Sequence, residues 1–287
     1  LLAVVNKIGK TLATILKQIF PAWVCGQYDT SPTTASIATN SFEKAFPSKK
    51  VADVFAYCEQ ELLDYFIKNL TVLNSQTVCN PKTHTPEECE AKYIRVLISS
   101  LRGYALYLEK ISPEKLEQSK DKNLAIVESD KFWSYNKNKT PQIRAAFFEA
   151  LSSLLQNAAF LLQKNDEQLT SIVFKSIDES DPALLSHIWS CCILVQLKIE
   201  NWAKHVNVNK MLLPKMWKIL RSALHPCVIY PNLLPLVSKF DKVLLPNDEL
   251  HNFYVNFFEN LKFGFVNAQM GKSETSAVTS AYFEILQ

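Results

Sequence analysis

The chain has 287 residues, 48% of them hydrophobic and 21% charged, which is enough apolar material to bury a sizeable core. It holds only 5 glycines, where ordinary usage of about 7% would supply roughly 20, and it has no Asn-Gly or Asp-Gly step. Phosphate-cradling glycine loops and hairpin-rich β folds are therefore poor readings, an all-helical fold is favoured, and a net charge of +3 by itself selects no partner.

The spacing predicts a first helix over 1–19, with an apolar stripe at Leu1, Val4, Val5, Ile8, Leu12, Ile15, Leu16 and Ile19 and with Lys7, Lys10, Thr14, Lys17 and Gln18 opposite. That pattern suits a helix packed on a neighbour, or one lying on a membrane surface. The same lysines interrupt every apolar run at the start, so no secretory signal is read. Further along, five pairs couple a capping residue to a proline: Ser31-Pro32, Thr85-Pro86, Ser112-Pro113, Thr140-Pro141 and Asp181-Pro182. The side-chain oxygen accepts from a free amide, and proline at the first helical position loses no hydrogen bond. Thr85 with Glu88 adds a capping box.

Each start leads into a helical stripe. After Pro86 it is Cys89, Tyr93, Val96, Leu97, Leu101, Tyr104 and Leu108; after Pro141 it is Ile143, Phe147, Leu151, Leu154, Ala158 and Leu161. After Pro182 the stripe runs from Leu185 through Ile188, Cys192, Val195, Ile199 and Trp202 to Val206. Further helices are expected near 48–69, 209–223, 248–268 and 273–287, and no segment alternates with period two. The richest apolar run, Ile188 to Ile199, is interrupted by Gln196 and Lys198 and is shorter than the roughly 20 residues of a membrane span. Seven cysteines, odd in number and irregular in spacing, do not describe a disulfide framework, so a cytosolic protein is expected. The first residue is Leu, which points to a piece of a longer protein.

Pro141-Gln142-Ile143-Arg144, followed by a leucine-rich stripe, looks like a HEAT-type helix. The Pro141-to-Pro182 spacing falls within the roughly 40–47 residues of such repeats, while the other proline spacings do not fit. The expected fold is all-α: a degenerate HEAT/ARM-type α-solenoid of roughly five to seven stacked helical hairpins, forming a single domain over 1–287.

Catalytic patterns are scarce. Gly9-Lys10-Thr11 and Gly271-Lys272-Ser273 resemble the end of a phosphate-binding loop, but the glycine required five residues earlier is Val4 or Val266. Cys79, His84 and Cys89 could ligate zinc with a fourth partner, yet no Cys-x-x-Cys pair supports it. Asp178-Glu179-Ser180-Asp181 precedes the Pro182 helix, where it would complement the helix dipole. The charge distribution says more. Between Asn201 and Phe240 lie Lys204, Lys210, Lys215, Lys218, Arg221 and Lys239 and no acid. Lys131-Phe132-Trp133-Ser134-Tyr135-Asn136-Lys137-Asn138-Lys139, with Arg144 nearby, interleaves cations with aromatics. Such a segment can bind RNA through phosphate neutralisation and base stacking, or it can be an inter-helix loop whose aromatics plug the core; the lysines could meet phosphate in either case.

Several ordered runs resemble the N-terminal domain of the listerin family, large RING-type ubiquitin ligases of ribosome-associated quality control. They are Asp29-Thr30-Ser31-Pro32 with Phe42 to Pro47, Phe132 to Tyr135 with Pro141 to Glu149, Ser176 to Pro182, Trp202 with His205-Val206-Asn207, Val228 to Pro235, and Ser276-Ala277-Val278 with Ala281 to Glu284. The resemblance implies a long helical solenoid that docks on large ribosomal subunits holding an obstructed nascent chain, beside the factor that binds the peptidyl-tRNA and tails that chain. In the family a distant RING transfers ubiquitin; this chain lacks the RING cysteines and histidines. The expected role is thus a non-catalytic docking scaffold with no cofactor, no metal, no membrane and no small-molecule substrate. Its expected partners are the large (60S) ribosomal subunit and the tailing factor. The candidate RNA contacts are Lys131, Lys137, Lys139, Arg144, Lys204, Lys210, Lys215 and Lys218. A general HEAT-type adaptor with a protein or peptide on its concave face is the alternative. A helical enzyme would need clustered carboxylates or Glu-x-x-His motifs, which are not found.

Overall fold

All five proline-marked starts open helices in the computed structural model, which describes residues 12–80, 82–240, 244–245 and 247–286. The described residues are helices and turns without a strand, so the protein is all-α, with helices stacked on their neighbours as in an α-solenoid. Among the described residues, no single helix is long and apolar enough to cross a membrane. The chain divides into two compact units, Leu1–Leu161 and Leu162–Gln287.

The first unit holds α1 (Leu12–Gly26), α2 (Pro32–Ala45), α3 (Val51–Tyr57), α4 (Glu59–Ile67), α5 (Pro86–Lys110), α6 (Pro113–Gln118), α7 (Lys120–Val127), α8 (Asp130–Ser134) and α9 (Pro141–Asn157). Residues 1–11 of the first predicted helix lie outside the described residues; within α1, Leu16 and Phe20 are buried. The central helix is α5, which packs along α9 and against α1, α3 and α4. Its start is fixed locally: the Glu88 amide donates to Thr85 Oγ1 (3.2 Å) and the Thr85 amide to Glu88 Oε2 (2.8 Å). Gly103 lets α1 come close, since a Cβ there would lie 3.1 Å from Cys25 Sγ and 3.3 Å from the Phe66 ring.

The helix expected over 48–69 is instead broken. A 3₁₀ turn at Ser48–Lys50 leads into α3, and Cys58 leaves helical geometry at φ −101°, ψ 10° before α4 begins. The break lets Phe55 meet the Phe20 ring (5.2 Å between centroids) while Phe66 meets Tyr104 (5.7 Å). Each fully buried ring contributes about 1.5–3 kcal/mol of burial energy, which outweighs the hydrogen bonds a continuous helix would keep.

The second unit holds α10 (Asp166–Lys175), α11 (Pro182–Lys198), α12 (Leu213–Ser222), α13 (Pro226–Ile229), α14 (Leu233–Val237), α15 (Asn247–Asn267) and α16 (Lys272–Leu286). The stripe expected to run as one helix from Pro182 to Val206 stops at Lys198. Asn201 takes a left-handed conformation, φ 57°, which asparagine tolerates better than most residues. Next to it, Trp202 lies flat on Phe174, 5.1 Å and 15° apart. The apolar spacing continues across the break because both sides face the same core. Likewise 209–223 is a wide turn at Val208–Leu212 followed by α12, whose first turn holds Pro214. Deeper in the unit, α15 packs on α12.

Candidate nucleic-acid interface

In the first unit the mixed aromatic and basic segment forms α8, a 3₁₀ turn at Tyr135–Lys137, and the lead into α9. Its aromatics belong to the core. Phe132, Trp133 and Tyr135 are each at most 3% exposed, and Phe132 sits 5.2 Å from the Phe147 ring. Trp133 Nε1 donates to the Val127 carbonyl (2.7 Å) and Tyr135 Oη to that of Leu70 (2.7 Å). No ring from this segment is left to stack on a base.

Its cations divide into two groups. Lys131 is half-buried: its ammonium donates to the Leu73 carbonyl and lies 5.7 Å from the Tyr93 ring centroid. Burial pulls its pKa below the ordinary lysine value. Arg144 donates from Nη1 to the Asn138 carbonyl (3.0 Å) and so braces the turn. Lys137 and Lys139 point outward, and the Lys139 ammonium lies 3.9 Å from the Glu90 carboxylate. The structure brings these four side chains to one turn but presents two of them to solvent.

In the second unit Lys204 and Lys210 are exposed on the turns before α12, Lys204 within the 3₁₀ turn Trp202–His205 and Lys210 within Val208–Leu212. Asn207 Oδ1 accepts from the Lys210 amide (2.9 Å), which fixes the second turn. Lys215 and Lys218 lie one turn apart on α12, and both donate to Asp178: Lys215 to Oδ1 and Lys218 to Oδ2 at 2.8 Å. Burial raises the Asp178 pKa, but the two ammonium groups together outweigh it and hold the carboxyl below its usual range. Lys218 is raised in turn by its hydrogen bond to Asp178. Asp178 thus does not serve the α11 dipole, as its sequence position suggests; Asp181 alone caps α11, accepting from the Ala183 amide at 2.9 Å. Sequence reasoning missed this hub because 37 and 40 residues separate Asp178 from its partners. It also missed the Arg221 guanidinium 4.3 Å from the Phe263 ring centroid, a contact that ties α12 to α15.

Nothing in the described residues assembles for covalent catalysis. Cys25, Cys58, Cys191 and Cys192 are buried and unbridged, and desolvation pushes the Cys25 thiol up to about 12 and that of Cys58 up to about 11. Such thiols are poor nucleophiles. No three His, Cys, Asp or Glu side chains converge as a metal would require among the described residues. His84 Nδ1 is 2.9 Å from Thr83 Oγ1, and the groove beside it, about 960 Å³, is lined by Glu87, Glu90, Cys89 and Lys139, with acid and base mixed.

A family model described as "E3 ubiquitin-protein ligase listerin, N-terminal domain" matches residues 1–240. The chain is 35% identical over 291 residues to the E3 ubiquitin-protein ligase listerin of Drosophila melanogaster, covering 98% of this chain and 17% of that protein. It is 34% identical over 285 residues to the listerin of Gallus gallus and 32% over 285 to that of Mus musculus, each match covering 98% of this chain and 16% of the relative. The chain spans about a sixth of the length of the curated relatives it matches. By the family match over residues 1–240 and the identity to these relatives over nearly its whole length, the chain belongs to the listerin family, with residues 1–240 matching the family's N-terminal domain.

Proposed function

We propose that this chain is the cytosolic docking scaffold of a listerin-type E3 ubiquitin ligase. It holds the obstructed large ribosomal subunit through phosphate contacts, and it seats the peptidyl-tRNA-binding tailing factor. The ligase chemistry belongs to a part of the polypeptide beyond this chain. The observation that carries the reading is the set of four exposed lysines, Lys137 and Lys139 in the first unit and Lys204 and Lys210 in the second, on turns whose backbones are fixed from below. Among the described residues Lys137, Lys204 and Lys210 form no ion pair, so neutralising a phosphate costs them no internal partner. The family match supplies the class of partner, and the inert thiols are in keeping with a binding role.

The test is co-sedimentation with purified large subunits across a salt series. The pairs Lys137→Glu/Lys139→Glu and Lys204→Glu/Lys210→Glu are measured separately. Each lysine that meets duplex phosphate adds about 0.9 to the slope of log affinity against log salt, so each pair that docks flattens the slope and weakens binding. Unchanged binding by both folded variants would remove these turns from the interface. A second series with the tailing factor present reads tightening as the protein contribution.

A further inference from the structure

Cys79, His84 and Cys89 are close in sequence but do not end as one cluster. The His84 ring turns to Thr83, with Nδ1 2.9 Å from Oγ1, whereas the Cys89 thiol is hydrogen-bonded to the Cys79 sulfur. Cys89 lies in the first turn of α5 and is 6% exposed; Cys79 lies in the segment before that helix and is half-buried. The backbone on each side is fixed locally. Asn74 Oδ1 accepts from the Gln76 and Thr77 amides, each at 3.0 Å, and Asn80 Oδ1 accepts from the Lys82 amide at 3.0 Å. The Thr85–Glu88 capping box holds the start of α5, and the thiol contact ties the 74–80 turns to it. Ser75, Gln76 and His84 share with Cys89 the lining of the groove of about 960 Å³, so the pair opens to solvent on that side. The other adjacent thiols differ. Cys191 and Cys192 are fully buried sequence neighbours on one helix, and consecutive Cα atoms about 3.8 Å apart are too close for an ordinary disulfide.

We propose that Cys79 and Cys89 are a redox modification site: a hydroperoxide oxidises them to a disulfide and a glutathione-class thiol reduces it, so that the 74–80 turns are reversibly stapled to α5. The half-buried Cys79 meets the oxidant first. Its thiolate sulfur attacks one peroxide oxygen, the O–O bond breaks, and the departing oxygen takes up the proton that the Cys79 thiol gave up. A sulfenic acid remains on Cys79. The Cys89 sulfur then attacks Cys79 Sγ. The S–S bond forms, the S–O bond breaks, and the hydroxide leaves as water with the Cys89 proton. The two thiols have together lost two electrons, and the peroxide has gained them. Desolvation, with the Cys79 hydrogen bond, holds the Cys89 pKa above the ordinary cysteine value, so Cys89 keeps its proton until its neighbour has been oxidised. Sulfurs already in contact need only close to about 2.05 Å, which asks little of the backbone. In the reducing cytosol proposed for this chain, such a dithiol stays open and closes transiently. The site does not depend on Lys139, at the same groove, meeting phosphate.

The experiment treats the unsubstituted chain with hydrogen peroxide and then with reduced glutathione. Lys82 lies between the two cysteines, so trypsin releases them on separate peptides that a disulfide alone holds together. Mass spectrometry without reduction is expected to show the 79–89 pair as the main disulfide, lighter than its two peptides by two hydrogen atoms, and glutathione is expected to split it. Amide hydrogen exchange over 74–80 should slow about tenfold on oxidation and recover on reduction. Cys79 ending as a sulfinic acid or a glutathione adduct while Cys89 stays a thiol overturns the proposal. A Cys79 link to Cys227 or to a second copy of the chain does so as well. One zinc ion retained per chain, with both thiols unreactive until a chelator is added, assigns the pair to a metal and overturns it too. A 79–89 link that leaves exchange over 74–80 unchanged overturns the staple.

Discussion

Replacing Asp178 by asparagine is expected to move stability and binding in opposite directions. The substitution keeps the shape and one acceptor oxygen, but it removes the charge that Lys215 and Lys218 share. The Asp178 side chain is 15% exposed, that of Lys215 26% and that of Lys218 67%. The exposed Lys218 pair is screened and contributes little, roughly 0.5 kcal/mol. The Lys215 pair is mostly desolvated, and losing its counter-ion costs about 1–2 kcal/mol. A total near 2 kcal/mol corresponds to a fall of roughly 4–8 °C in Tm for a cooperative unit of this size. Because the folded carboxyl titrates below its unfolded value, its contribution is present above the unfolded pKa of about 3.9 and is lost as pH falls through the depressed folded value. The difference between the two proteins should therefore be full at pH 7, begin to shrink below about pH 5, and vanish only once the pH is below the depressed folded value.

Binding should respond the other way. With Asp178 neutral, two further ammonium groups become available to phosphate, and the salt slope on large subunits should steepen by up to about 1.8. Thermal melts monitored by circular dichroism at pH 7 and pH 3.5, together with the co-sedimentation series, measure both effects. An asparagine variant equal to the parent in Tm at pH 7 would refute the ion-pair hub. A variant less stable but unchanged in salt slope would show that the α12 lysines face away from RNA.

Three other substitutions or probes read the same structure. A Cβ at Gly264 would lie 2.0 Å from the Leu220 carbonyl oxygen, so Gly264→Ala must part α12 from α15 and should cost about 3 kcal/mol or more in urea unfolding; a loss under about 0.5 kcal/mol would contradict that close crossing. Tyr135→Phe strands the buried Leu70 carbonyl and should cost about 1–3 kcal/mol in the same assay. Iodoacetamide at pH 8 should modify exposed Cys227 and spare Cys25, whose burial and high pKa both protect it; alkylation of Cys25 in the native protein would contradict its packing.

Helix starts were legible because their physics is local. Ser31, Thr85, Ser112 and Asp181 accept from amides two or three residues on, and the proline beside each needs no partner. Helix ends inside an apolar stripe were not legible. Cys58 and Asn201 break their helices so that Phe55 and Trp202 can reach rings supplied by other helices, and the stripe reads the same on either side of the break. The candidate interface was legible as charge but not as charge in space. The acid-free run from Asn201 to Phe240 contains no partner of its own, yet Asp178 supplies one from another element. Lys131 carries a charge in sequence, yet the fold spends it on the Leu73 carbonyl.

That contrast explains why aromatics are interleaved with lysines in the 131–139 segment. A short turn between two helices has few hydrogen bonds of its own and would wander, lowering the effective concentration of any cation it carries. Here Trp133 and Tyr135 are sunk into the core, each held by a hydrogen bond to a carbonyl, and Arg144 closes on Asn138. In the second unit the turn bearing Lys204 is pinned in the same manner by Trp202 against Phe174. The ordering cost of each turn is thereby met during folding, and what remains mobile is the lysine side chain. A phosphate partner would then lose less affinity to ordering the protein than it would on a free loop. The aromatics serve recognition without touching the ligand, by fixing where the positive charge is presented. Replacing Trp202 by leucine, with Lys204 and Lys210 untouched, should accordingly weaken subunit binding several-fold while leaving the salt slope unchanged, because the number of phosphate contacts is the same. A flattened slope would mean instead that the lysines had left the interface altogether.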